Sequence, residues 1–558
     1  MQPTGRSISF VDAVRWIVGP IFEKELCVAS RRRRMFVLRS VYVLLIMDLV
    51  LAAWAATAVT SPSRAAYVSQ LSRMAEAVAG TVIVLQFVVL PVFAAIMLSG
   101  AISEELRRRT LGVLMTTPIT GFQIVFGKLA GSLIQLVLLM ACALPVLALL
   151  RAFGGVPWEM VGPGLLVTFT TTVLAGSIAL WFSIGSRRAP WVFLKTLVTM
   201  MLAFLVFPLV WQEWAGPAAA RWIEWTNPYL MMQALVVQSS GKGVWLWHVL
   251  ASLAVSGALV AGSVPRVRRA ATRQLAGDPP AAARAWYGPV RGQPEPVECR
   301  IRHCPVLWYE LRSYRVNVRS LLRPAAWGVG LLLVCQMAAW RAMAEASVQT
   351  GFIVCLSGLG LLVTAALAVF GITGERDSGT WTLLLATTLD ERSIVEAKVT
   401  GALVRSLPAW LPLAFHVAVF TLAGYIHPLM ILALAVILAG AAGLLLGTGV
   451  WCAVRFRRTS TAMMVNLGIV LVGWGLSSFG FACCCPAWIV SPLAQVGLLA
   501  MDLTGEHAWK ARGSVFDFGG WVVMTIVVIV TALGYRWLSR RFRAWAAKRL
   551  RKTLAFQI

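Results

Sequence analysis

Met430–Val454 reads MILALAVILAGAAGLLLGTGVWCAV and carries no charged residue. As a helix rising about 1.5 Å per residue, such a stretch is long enough to cross a hydrocarbon core about 30 Å thick. Val41–Val59, Ala77–Ile102 and Val161–Ile184 have the same character, with Asp48 as their one charged residue. Strands fit poorly, because a membrane barrel needs short segments of alternating polarity and these runs are apolar all round. The whole chain agrees: 59% of its residues are hydrophobic, 13% are charged and the mean hydropathy is +0.77. A soluble domain carries about 25% charged residues. By the criterion of roughly twenty residues per span, about twelve spans are expected. They fall near 36–59, 77–101, 122–150, 160–184, 191–211, 244–264, 322–343, 350–373, 394–423, 428–453, 461–481 and 519–538. The fold class expected is an all-α polytopic membrane protein.

The formal charge of +27 suggests nucleic acid until the residues are placed. With both termini on the cytoplasmic side, roughly forty Lys and Arg fall in one set of loops and about eight in the other, the asymmetry of the positive-inside rule. The basic set includes Arg31–Arg34, Arg107–Arg109, Arg187–Arg188, the 265–323 stretch, Arg455–Arg458 and Arg540–Lys552. Orientation and contact with anionic membrane lipids account for these charges. No basic surface with interleaved aromatics marks a nucleic-acid site, and no nucleic-acid partner is expected. The first thirty-five residues lack the continuous apolar core of a cleavable signal, so the first span is expected to direct insertion itself. The ten cysteines are scattered. Cys483, Cys484 and Cys485 read as small apolar packing, with a disulfide or metal role as the alternative.

Two halves of the chain repeat one plan. Ile102–Thr117, ISEELRRRTLGVLMTT, lies over Ile372–Thr387, ITGERDSGTWTLLLAT, with Glu105 on Glu375, Thr110 on Thr380, Leu114 on Leu384 and Thr117 on Thr387. The offset from Glu105 to Glu375, 270 positions, continues ungapped through Lys128 on Lys398 and Gly131 on Gly401 to Arg187–Arg188 on Arg457–Arg458. Near the starts, Pro20, Glu25 and Leu26 match Pro305, Glu310 and Leu311. The repeats run over 1–264 and 301–558, joined by a Pro-, Gly- and Arg-rich cytoplasmic linker at 265–300. Six spans in each is an even number, so the two six-helix repeats are parallel, related by an axis along the membrane normal.

The repeated loop lies between the second and third span of each half. Leu106, Thr110, Val113, Leu114 and Thr117 recur at helical spacing, which gives a short amphipathic helix on the membrane surface. Glu104 and Glu105 precede Arg108 and Arg109 by four residues, the favoured order for charge pairs on a helix. Two readings stand: an interfacial helix capping two spans, or a docking element for a cytoplasmic partner.

These residues resemble a family. Glu105, Thr110, Leu111, Leu114, Thr117 and Pro118, followed by Ile124, Val125, Gly127 and Lys128 at the opening of a span, are similar to the ABC-2 type permeases, membrane subunits of many bacterial ABC exporters. The second half keeps Glu375, Thr380, Leu384, Thr387, Ile394, Val395 and Lys398, but has Thr388 for the proline and Ala397 for the glycine. The resemblance implies a multi-pass protein of the bacterial inner membrane with six spans per half and a pre-span interfacial helix carrying Glu25 or Glu310. It implies short helices folding back before the sixth span, within 212–243 and 486–518. It makes the loop a coupling element against a separate ABC ATPase, present in two copies, which uses ATP and magnesium. Glu105, Thr110, Thr117, Lys128, Glu375, Thr380, Thr387 and Lys398 would form that coupling surface, and this chain would bind no cofactor of its own.

Enzymatic readings fail on their motifs. Gly121–Leu129 has one residue too many between its glycines for a phosphate loop, and Leu129 stands where Ser or Thr should hold magnesium. Leu356-Ser-Gly-Leu-Gly360 echoes an ABC signature but lies within a span. Glu104-Glu105-Leu-Arg-Arg-Arg109 matches part of a CAAX-type membrane protease, yet none of the five histidines has Phe four before it or Asn or Asp four after. Cys299, His303 and Cys304 offer three ligands at loose spacing, a weak metal signal beside the preferred reading of no metal role. No catalytic or metal-binding residue is expected. An ion-coupled carrier is the alternative, with Asp48 and Arg405 as polar groups inside spans. Neither recurs in the other half, and a structural pair or snorkelling explains them as well as a substrate path. A non-transporting membrane scaffold is the third reading.

Overall fold

The computed structural model describes residues 20, 22–23, 25, 27, 33–60, 64–152, 154, 156–186, 189–206, 222, 225–236, 243–275, 305–315, 329–330, 332–334, 336–337, 345–479, 491–503 and 518–550. It is 90% helical, with no strand among the described residues. The chain divides into two compact units, Met1–Pro208 with Pro217–Val297 and Glu298–Ile558 with Leu209–Gly216. Cys299, His303, Cys304, Cys483–Cys485, Arg187, Arg188 and 276–300 lie outside the described residues.

The first unit contains α1 (Arg33–Thr60), α2 (Arg64–Ser99), the short α3 (Ser103–Arg108) and α4 (Leu111–Leu114), α5 (Gly121–Ala141), α6 (Leu144–Ala152), α7 (Trp158–Ile184), α8 (Ala189–Met201), α9 (Pro228–Val236) and α10 (Val244–Leu275). Helix α7 is apolar on every side, and such a helix belongs in a core. It packs against α2 and α10 and is the most enclosed helix of the unit. The hydroxyls of Thr168, Thr171, Thr172 and Ser177 bond carbonyls one turn back, so the core carries no unmet polar demand there. The span expected at 122–150 breaks at Cys142–Ala143, because Pro145 has no N–H for the Ala141 carbonyl. Helix α10 does not stop at 264, where the sequence reading opens the linker. It runs through Pro265 to Leu275, with Val267 and Ala271 buried one turn apart.

The second unit contains α11 (Pro305–Arg315), α12 (Ala346–Ser378), α13 (Trp381–Leu385), α14 (Glu391–Leu422), α15 (Leu429–Arg455), α16 (Thr459–Phe479), α17 (Pro492–Leu503) and α18 (Phe518–Leu550). The uncharged run at 430–454 is α15, packed between α12 and α18. Asn466 of α16 accepts from Thr448 of α15 (2.6 Å) and donates to the Ala365 carbonyl of α12 (3.3 Å). Polar side chains bridging helices in this way hold membrane bundles together where lipid removes the hydrophobic drive.

Eight of the described helices are long and apolar enough to cross a membrane. The remaining four expected spans are accounted for piecewise. Those at 36–59 and 461–481 lie on α1 and α16. The one at 191–211 begins as a shorter apolar helix, Trp191–Phe204, with π geometry over Leu202–Val206. The one at 322–343 falls largely outside the described residues. Short helices α9 and α17 precede α10 and α18, within 212–243 and 486–518.

Candidate functional site

Each repeat turns between its second and third long helices through one left-handed residue. Arg109 (φ 58°) closes α3, and Gly379 (φ 78°), at the same offset, closes α12. In both copies the next residue's N–H returns to the carbonyl of the glutamate: Thr110 to Glu105 and Thr380 to Glu375, each 3.1 Å. With the companion bonds from Arg109 to Leu106 (3.4 Å) and Gly379 to Arg376 (3.3 Å), this is the paired ending of a Schellman motif. Glycine adopts it freely, whereas Arg109 is the one non-glycine with positive φ among the described residues. The sequence expectation of a single amphipathic helix is therefore corrected. The left-handed residue divides the loop into a helix end and a separate short helix, α4 or α13.

The turn folds the threonine back onto the glutamate. The Thr110 hydroxyl donates to Glu105 Oε2, and Lys128 Nζ, two turns into α5, lies 3.1 Å from Glu105 Oε1. In the second unit the Thr380 hydroxyl donates to Glu375 Oε2, and Lys398 Nζ lies 2.8 Å from Glu375 Oε1. Glu, Thr and Lys thus form one charge-assisted unit in each copy, joining the incoming helix, the turn and the outgoing helix.

The pre-span helix meets this unit in both repeats. Glu25 lies over Gly131, where an added Cβ would fall 2.8 Å from Glu25 Cβ; at Gly401 it would fall 3.2 Å from Glu310 Cβ. Only a residue without a side chain permits that approach. What surrounds the glutamates differs. Lys398 and Arg405 both donate to Glu310, and Lys398 and Glu310 are 2% and 3% exposed. Lys398 thus bridges two carboxylates, and Arg405 brings a second cation to Glu310. In the first repeat Gln135 takes the place of Arg405 and donates to the Gly131 carbonyl (3.1 Å). Lys128 pairs with Glu105 alone, and Glu25 has no ion pair among the described residues.

Above the charged base the short helices present the same face. Leu111 and Trp381 point inward and are buried, while Val113 and Leu383, offset by the same 270 positions, are 65% and 71% exposed. Thr117 and Thr387 are exposed, each returning its hydroxyl to a carbonyl three residues back, Leu114 or Leu384. They help to shape the turn and do not join the cluster. Asp48 sits apart on α1, with Oδ2 buried and unbonded. Arg405, expected as an intramembrane polar group, pairs with Glu310, because α11 brings a carboxylate within its reach.

Two residues at this site escape the sequence reading. Gln274 of α10 bonds the first loop, and Arg376 of α12 bonds the end of α15. The signal for Arg376 was present, since it replaces the apolar Leu106. Gln274 carried none, because it lies in a stretch whose composition resembles a linker.

Residues 20–261 match the family model described as ABC-2 family transporter protein. The match runs from the pre-span helix into α10 and includes the whole of the first loop. Residues 20–261 are thus similar to ABC-2 family transporter proteins, in a chain with eight described helices long and apolar enough to cross a membrane. No curated protein matches the chain significantly.

Proposed function

We propose that this chain is the transmembrane subunit of an ABC exporter, with both permease halves in one polypeptide and a separate ATPase on its cytoplasmic loops. The observation that carries the reading is the duplicated joint. Each repeat offers an exposed apolar residue, Val113 or Leu383, on a short helix whose base is fixed to two long helices by a Glu–Thr–Lys unit. An exposed side chain on a rigid mount suits a socket on a partner, and the mount passes the push onward. Two joints call for two ATPase subunits, identical or related. Nucleotide-driven closure of that pair would rock the halves between inward- and outward-open states. ATP and magnesium would be used by the ATPase, and the permease would perform no chemistry. The basic loops would face the cytoplasm of a bacterial inner membrane, with both termini on that side.

Purification from native membranes in mild detergent, with bound proteins identified and ATP hydrolysis assayed, tests this. A stoichiometric ABC ATPase that is lost on charge reversal at Glu105 and Glu375 is the expected result. An ATPase-free protein that moves solute under an ion gradient, with dependence on Asp48, would replace the reading with an ion-coupled carrier.

A further inference from the structure

The two loops are fastened to different helices. In the first unit Gln274, near the end of α10, accepts from the Gly112 N–H (3.2 Å) and donates to the Leu106 carbonyl (3.1 Å). These are end groups of the two short helices. The Gly112 N–H lies in the first turn of α4, and the Leu106 carbonyl in the last turn of α3 otherwise receives only a 3.4 Å bond from Arg109. Helix ends leave such groups without partners inside the helix, and one amide side chain serves both. The next residue, Leu275, packs so closely that a Cβ on Gly112 would meet its Cδ2 at 2.9 Å. Val267 and Ala271 of α10 share a buried cluster with Leu106 and Leu111.

The second unit shows no such contact among the described residues. Thr382, exposed, stands where the first loop has Gly112. Its loop is held by Arg376, in the place of Leu106, which donates to the Ala453 carbonyl (2.9 Å) and the Phe456 carbonyl (2.8 Å) at the end of α15. The guanidinium there satisfies carbonyls that the helix end leaves open.

We infer that Gln274 and Arg376 are positioning residues that connect the two loops to different helices. Gln274 ties the first loop to α10, the sixth expected span of its repeat, beside its packing on α7, the fourth, whereas Arg376 ties the second to α15, the fourth. One stroke of a docked ATPase pair then moves unlike parts of the two repeats. The mechanical consequence rests on the docking reading above; the fastening itself does not.

Hydrogen exchange on the purified full-length chain tests the fastening without any ATPase. Gln274→Ala should speed exchange over 110–116 about fivefold, the effect of one or two ordinary hydrogen bonds, and leave 380–387 unchanged. Gly112→Ala, which displaces Leu275 without touching Gln274, should give the same pattern. Arg376→Ala should act on 376–387 and 453–457 alone, with partial recovery in Arg376→Lys. Unchanged exchange, or both loops responding to either variant, overturns the inference. The second arm compares nucleotide-free and ATP–vanadate-trapped complexes. In the parent complex trapping should alter exchange over 256–275, and in Gln274→Ala it should not, with the ATPase still bound. An equal change in both overturns the mechanical claim. If no ATPase binds the chain at all, the docking reading fails while the first arm keeps its meaning.

Discussion

Replacing Lys398 by methionine should damage this protein far more than the same change at Lys128. Lys398 is 2% exposed and stands between Glu310 and Glu375, so Lys398→Met removes the cation that both carboxylates share. Removing one partner of a buried ion pair costs about 3–5 kcal/mol, because the remaining charge has lost its compensation and has no access to water. Among the described residues Lys128 pairs with Glu105 only, and Glu105 reaches solvent. Water screens what is left there, and Lys128→Met should cost about 1 kcal/mol or less. In a unit of this size 1 kcal/mol corresponds to about 2–4 °C in Tm, so the two losses should be roughly 10 °C and roughly 3 °C. The assay is thermal unfolding of the detergent-purified chain, followed by tryptophan fluorescence or by monodispersity after heating. A double variant, Lys398→Met with Glu310→Gln, sharpens it, since removing one of the two carboxylates should recover several degrees. Equal losses at the two lysines, or no recovery in the double variant, would refute the claim that burial distinguishes the clusters.

Arg109→Gly should raise Tm by about 3 °C, since glycine relieves roughly 1 kcal/mol of left-handed strain, and Gly379→Arg should lower it by a similar amount. Gly131→Ala should be worse tolerated than Gly401→Ala in the same assay, because the added carbon would come within 2.8 Å of Glu25 Cβ, against 3.2 Å from Glu310 Cβ. Val113→Asp and Leu383→Asp should leave Tm unchanged, as both side chains face out, yet reduce recovery of the ATPase several-fold in pull-down. A fall in Tm with the ATPase retained would mean these side chains serve the fold rather than the partner.

The membrane class was legible because Met430–Val454 leaves no other solvent for so much apolar surface. The joint was legible because duplication marks it: Glu105, Thr110 and Lys128 stand out from a hydrophobic sequence only when Glu375, Thr380 and Lys398 are laid beside them. What periodicity missed was the break in the loop. Arg109 is a poor left-handed residue, and nothing in the first copy alone announces it; Gly379 in the second copy does. The reach of α10 was hidden for a different reason. Pro265 and the arginines after it look like a linker, and the burial of Val267 and Ala271 that keeps the helix going depends on a loop 160 positions away. The pairing of Arg405 with Glu310 was equally out of view, since it needs the pre-span helix folded against α14.

The difference between Glu310, which two cations meet, and Glu25, which has no ion pair among the described residues, has a consequence for stoichiometry. The two repeats are unlike parts, with Arg405 against Gln135, Arg376 against Leu106 and Thr382 against Gly112. Separate subunits of these two kinds could assemble as like with like, whereas one continuous chain supplies one of each every time it is synthesised. On the proposed reading, in which the two halves work as a pair, joining them in one chain does the work of a recognition surface.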